Sequence, residues 1–254
     1  MTPLMAWYGD DFTGSAAVLE VLAFAGVSGV LVLKLPTAPQ RDRFSGAQAV
    51  GLAGAARAQS PQWMETNLPA VYEWLRDWGA EVVLYKVCST LDSAPQIGSI
   101  GRAIDIGQRT FASDWVPCLV AAPQMRRYQC FGHLFAGAPR DVYRLDRHPV
   151  MARHPVTPMQ ESDVALHLAA QTDRPFGLVD LAALADDTKA AVCLAQVRQE
   201  GAEIVTLDAQ SEADMRRCGA LIGQSRQAPQ FAVGSQGVAY ALVAHWASSA
   251  IPRN

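Results

Sequence analysis

The chain has 254 residues, half of them apolar, with a formal net charge of −3 and only 18% charged residues. That length suits one large domain with a sizeable core. The absence of any basic run argues against a nucleic-acid groove or an anionic membrane surface as partner, which leaves small molecules and proteins. Five widely spaced cysteines fit reduced thiols of a cytoplasmic protein better than a disulfide framework, and no metal-ligand spacing occurs. The N-terminus carries no basic leader, and no apolar run approaches the length of a membrane span.

In chain order, short apolar runs predict strands at Leu4 to Tyr8, Val30 to Lys34, Ala49 to Ala53, Val82 to Val87, Cys118 to Ala122, Gly177 to Asp180, Ile204 to Leu207 and Phe231 to Gly234. Longer amphipathic stretches between them predict helices. Ala16 to Ala25 ends at Gly26, a suitable stop. Pro61 to Trp78 places Trp63, Leu68, Val71, Leu75 and Trp78 on one face, and Ile97 to Phe111 and Asp186 to Gly201 repeat the arrangement. The alternation predicts an α/β, doubly wound, mostly parallel sheet with helices on both faces. Residues 124 to 158, rich in Arg, Tyr, His, Pro and Gly, break the rhythm and read as a long loop or lid.

The run Asp10, Asp11, Phe12, Thr13, Gly14, Ser15 falls where the first strand becomes a helix. In an open α/β sheet that is the ligand-binding edge. A lone acid there would be a helix cap; two acids with Thr and Gly in one tight junction point to a site. On a parallel sheet the same rim gathers Arg57, then Lys86, Cys88, Ser89, Thr90, Asp92 and Ser93, then Gln124, Arg126 and Arg127, and finally Gly234 to Gly237. Such an inventory suits a small hydroxylated acid, with Arg57 or Lys86 facing a carboxylate and Asp10 or Asp11 accepting from hydroxyls or taking a proton. Each residue also has a plainer reading. Lys86 could be a strand-end lysine reaching solvent, Cys88 to Thr90 turn residues, and Gly234 to Gly237 an ordinary Gly/Ser turn. His148 and His154 read as structural loop histidines, and Trp63, Trp74 and Trp78 as core or interface anchors.

Five motifs in order, DDFTGS at Asp10 to Ser15, KVCSTLDS at Lys86 to Ser93, IGSIGRA at Ile97 to Ala103, RHPVTPM at Arg153 to Met159 and VGSQGVAYAL at Val233 to Leu242, span nearly the whole chain. On them the sequence resembles the N-terminal, substrate-binding domain of the four-carbon acid sugar kinase family. The resemblance implies ATP-dependent phosphorylation of a hydroxyl on a threonate-, erythronate-, 3-oxo-tetronate- or 3-oxo-isoapionate-like acid. It also implies a substrate site at Asp10, Asp11, Arg57, Lys86, Cys88, Ser89 and Thr90, with Asp10 and Asp11 also catalytic, and ATP and Mg²⁺ held by a C-terminal domain. Gly9 stands where many members carry alanine.

No GxxxxGK[ST] phosphate loop is present, and no residue of this chain is assigned to a cofactor or metal. The expected organisation is a sugar-acid-binding domain over residues 1 to 247 and a tail over 248 to 254, inactive without the nucleotide-binding domain. The expected partners are the acid and that domain, with homodimerisation left open and neither nucleic acid nor membrane involved. The alternative is a non-catalytic sugar-acid-binding or regulatory module. A hydrolase or dehydrogenase is disfavoured by the lack of GxSxG and GxGxxG motifs.

Overall fold

A computed structural model describes residues 2–224 and 229–248. The chain opens with strand β1 (Met5–Gly9), helix α1 (Phe12–Phe24), β2 (Gly29–Val32), a short α2 (Ala38–Asp42), β3 (Ala49–Ala53), α3 (Pro61–Arg76), β4 (Val82–Lys86), α4 (Ile100–Phe111) and β5 (Val116–Leu119). Three short strands follow, β6 (Arg127–Cys130), β7 (His133–Gly137) and β8 (Val142–Arg144). The α/β rhythm then resumes with α5 (Val164–Ala169), β9 (Phe176–Val179), α6 (Asp187–Gln199), β10 (Ile204–Leu207), α7 (Glu212–Gly223), β11 (Gln230–Gly234) and α8 (Gly237–Ser248). Of the expected tail, Ser248 closes α8 and 249–254 lie outside the described residues. Among the described residues no helix is long and apolar enough to cross a membrane.

Eight strands form one sheet in the order β2-β3-β1-β4-β11-β5-β10-β9, and every pairing is parallel. Central strands buried on both faces read as continuous apolar runs, which is why β1, β3, β4 and β10 are legible in the sequence. Side chains of β1 alternate between two cores. Ala6 and Tyr8 join the apolar faces of α3, α4 and α5 on one side of the sheet, while Met5 and Trp7 join α1, α7 and α8 on the other. Trp7 Nε1 also donates to the Ser15 carbonyl at 3.2 Å, pinning the first turn of α1 to its own strand.

Three expectations need correction. Helix α1 begins at Phe12, so the DDFTGS run is the cap and first turn instead of a loop before the helix. Strand β5 starts two residues early and contains Pro117, tolerated near the start of a strand although it offers no ladder N–H. The expected long loop is largely built structure. Strands β6, β7 and β8 form a separate antiparallel sheet, with Leu134 and Ala136 buried in the core under α3, α4 and α5. Its first hairpin turns through Phe131 (φ 49°) and Gly132 (φ 81°), and the buried Asp208 carboxylate at the end of β10 accepts from both N–H groups, at 2.5 and 3.0 Å.

Candidate functional site

Helices α1 and α3 leave neighbouring strands β1 and β3 toward opposite faces of the sheet, which opens a crevice at the carboxyl ends of those strands. The backbone ladder continues into this crevice. Asp10 N–H donates to the Lys86 carbonyl at 2.9 Å, and the Asp10 carbonyl accepts from Arg57 N–H at 3.1 Å. One row of main-chain hydrogen bonds therefore fixes three site residues from three separated segments. Gly98 seals the Arg57 turn from below. It adopts φ +59°, its N–H donates to the Gln59 carbonyl at 2.9 Å, and a Cβ there would lie 2.5 Å from the Arg57 carbonyl oxygen.

The two adjacent acids divide two tasks. Asp11 is the N-cap of α1, its Oδ1 accepting from Gly14 N–H at 3.0 Å. Asp10 is only 1% exposed and meets Arg57 in a fork, Nη2 to Oδ1 at 2.6 Å and Nε to Oδ2 at 3.2 Å, while the same Nη2 reaches Asp11 Oδ1 at 2.7 Å. Burial pushes the Asp10 carboxyl up to about 6, against the opposing pull of Arg57 and Lys86. Burial works against the Arg57 charge too, but its bonds and charges with Asp10 outweigh this and hold the guanidinium above its ordinary value. Arg57 Nη1 has no protein acceptor among the described residues, and Asp11 Oδ2 has no protein donor.

Lys86 is 2% exposed, and its Nζ has no hydrogen bond or ion pair among the described residues. Burial lowers its pKa, with Asp10, Cys88 and Asp11 pulling the other way. Gly14 makes room for it: a Cβ at that position would sit 2.4 Å from both Lys86 Nζ and Asp11 Oδ1. Beyond Lys86, burial holds Cys88 as a thiol, and its Sγ lies 2.9 Å from Thr90 Oγ1, which donates to Asp92 Oδ1 at 2.7 Å. The left-handed Leu91 (φ 52°) closes that turn, and Ser89 is buried beside it. Lys86, Cys88, Ser89 and Thr90 are not among the residues that line the crevice.

The crevice encloses about 340 Å³, within the range of small-molecule sites. Of the sequence-derived site residues, Asp10, Asp11 and Arg57 line it, together with Asp92. The remaining lining residues are Phe12, Gly54, Ala55, Ala58, Ile97, His154, Val156 and Thr157. The last three come from the RHPVTPM motif, whose histidine reads as structural in the sequence. The signal that could have found it is the His-x-x-Thr spacing after an Arg, in a segment rich in turn residues. Arg126 and Arg127, the other rim cations, stand by the hairpin; neither lines the crevice.

Residues 5–242 match the family model described as a sugar-binding N-terminal domain. The chain is 46% identical over 246 residues to a 3-oxo-isoapionate kinase of Paraburkholderia graminis, covering 96% of this chain and 52% of that protein. It is 31% identical over 219 residues to a 3-oxo-tetronate kinase of Pseudomonas fluorescens, covering 86% and 49%. The chain thus spans about half the length of the curated relatives it matches. Among solved structures, a putative tRNA synthase from Salmonella typhimurium superposes with a TM-score of 0.88 at 26% identity, over 100% of this chain and 57% of that one. A domain of unknown function from Bordetella bronchiseptica shares the fold at a TM-score of 0.75 and 23% identity, over 97% and 57%.

Proposed function

Because this chain belongs to the family of sugar-binding N-terminal domains, we propose that it is the substrate-holding half of an ATP-dependent sugar acid kinase. Its crevice takes a short hydroxylated acid of the 3-oxo-isoapionate or 3-oxo-tetronate kind, the substrates named for its relatives. The observation that carries the reading is the buried Asp10–Arg57 fork at the floor of a crevice of suitable size. It leaves one arginine nitrogen and one Asp11 oxygen without a protein partner among the described residues, available to a ligand that has both a carboxylate and hydroxyls.

Asp10 orients Arg57, whose Nη1 receives the acid's carboxylate. Asp11 Oδ2 accepts a hydrogen bond from the reacting hydroxyl and is placed to take its proton. Lys86 lends positive charge from behind Gly14. The sequence lacks a GxxxxGK[ST] loop, and among the described residues no cluster of three His, Cys, Asp or Glu could hold a metal ion. We assign ATP and Mg²⁺ to a second, partner domain because the kinases this chain resembles are about twice its length, and a cytoplasmic setting is in keeping with five free thiols.

The experiment is a phosphoryl-transfer assay on the full-length protein, wild type against Asp11→Asn, which keeps the helix cap. Loss of a general base lowers kcat by about 10²-fold or more with KM nearly constant. A variant that keeps kcat within a few-fold removes Asp11 from that role.

A further inference from the structure

The lining of the crevice is rich in acceptors: Asp10, Asp11 and Asp92 all face it, with Arg57 the one cation among the lining residues described. Carboxylates read hydroxyls well, but they repel the carboxylate of the very acid the site is proposed to hold. That group needs donors, and Arg57 Nη2 and Nε are already committed to aspartates.

Elsewhere in the same lining, His154 Nδ1 accepts from the Thr157 backbone N–H at 3.0 Å, and Thr157 Oγ1 lies 3.0 Å from the same nitrogen. A backbone N–H can only donate, so Nδ1 carries no proton. The neutral ring must therefore hold its proton on Nε2. Nε2 has no protein partner among the described residues, and His154 is one of the residues lining the crevice. The turn 154–157 thus sets the tautomer, and Thr157 itself is buried, so the ring is presented as a fixed donor. We propose that His154 Nε2–H, together with Arg57 Nη1, grips the carboxylate of the bound sugar acid, making His154 a ligand-reading residue. The inference rests on the site reading above and adds to it the group that distinguishes an acid from a neutral polyol.

The test is calorimetric titration of the 254-residue chain, wild type, His154→Phe and His154→Gln, with 3-oxo-isoapionate, L-threonate and the neutral erythritol. The proposal expects His154→Phe to weaken binding of the acids roughly tenfold to a hundredfold, to leave erythritol unchanged, and His154→Gln to recover much of the loss. A His154→Phe variant that binds the acids like wild type, or that loses acid and erythritol equally, overturns it. Should the variant not fold, ¹⁵N spectra of the wild-type imidazole decide. A downfield shift of the Nε2 proton on adding L-threonate supports the contact, and an unmoved signal at saturation refutes it. A wild-type chain that binds none of the acids overturns the site reading, and this inference with it. Binding by wild type with no effect of His154→Phe overturns this inference alone.

Discussion

Replacing Arg57 by methionine, which keeps the stem and removes the fork, strands the Asp10 carboxylate at 1% exposure. Breaking a buried pair by removing one partner costs roughly 3–5 kcal/mol. Arg57 is itself 24% exposed, so water softens the loss and the low end, about 3 kcal/mol, applies. For a chain of this size that lowers Tm by about 6–12 °C. The deficit must depend on pH, with a definite sign. An acid whose pKa is raised on folding, here from 3.8 to about 6, makes the folded state the better proton binder in that window. Stability from this group is therefore lost as pH rises through it. Removing Arg57 raises the Asp10 pKa further and widens the window upward, so the variant's deficit is full at pH 8 and shrinks at pH 5, where Asp10 is protonated in both proteins. Thermal melts followed by circular dichroism at the two pH values measure this, and Asp10→Asn added to Arg57→Met should recover most of the loss at pH 8. A deficit equal at both pH values, or none at all, would refute the claim that the fork neutralises a desolvated charge.

Asp11→Ala removes both the α1 cap and the ion pair to Arg57 and should cost about 1–2 kcal/mol in a denaturant titration, whereas Asp11→Asn keeps the cap, loses only the pair and should cost about 0.2–1 kcal/mol. Lys86→Met removes a buried ammonium with no ion pair, so at pH 7 it should be as stable as wild type or more so, while binding the acid at least tenfold more weakly. Because burial lowers the Lys86 pKa, the folded state binds fewer protons than the unfolded one below the ordinary lysine value. Any stability advantage of Lys86→Met should accordingly shrink as pH rises from 7 toward 10; a gap that widens contradicts the reading. Because ionised Asp10 holds the Arg57 fork in place, acid affinity should fall as pH drops through about 6, where Asp10 becomes protonated, and a flat profile between about pH 5 and 7 would exclude Asp10 from that orienting role.

The central strands and the opening motif were legible because burial on both faces leaves an unbroken apolar run, and because a strand-to-helix junction fixes where its polar residues project. That geometry gathered Asp10, Asp11 and Arg57 on one rim with many other polar residues, and the narrower set was what the family resemblance implied. What was not legible was how the charges divide. Nothing in the sequence distinguishes the capping Asp11 from the buried Asp10, or tells that Arg57 is held by aspartates before any ligand arrives. The β6–β7 hairpin was hidden because its turn, Phe131-Gly132, lacks the usual Asn-Gly signal. A carboxylate 76 residues away in sequence, Asp208, supplies the fixation that local turn chemistry would otherwise give. The place of His154 in the crevice is not legible for a related reason, since the crevice is formed by distant segments and its Nδ1 is engaged by the Thr157 backbone.

The most direct measurement is calorimetric titration of the 254-residue chain with 3-oxo-isoapionate, L-threonate and D-erythronate, and separately with ATP and Mg²⁺. The account predicts saturable binding of at least one acid, abolished by Asp10→Ala, and no heat of binding for ATP with Mg²⁺. Tight binding of ATP by this chain, or acid binding that survives loss of Asp10, would contradict it.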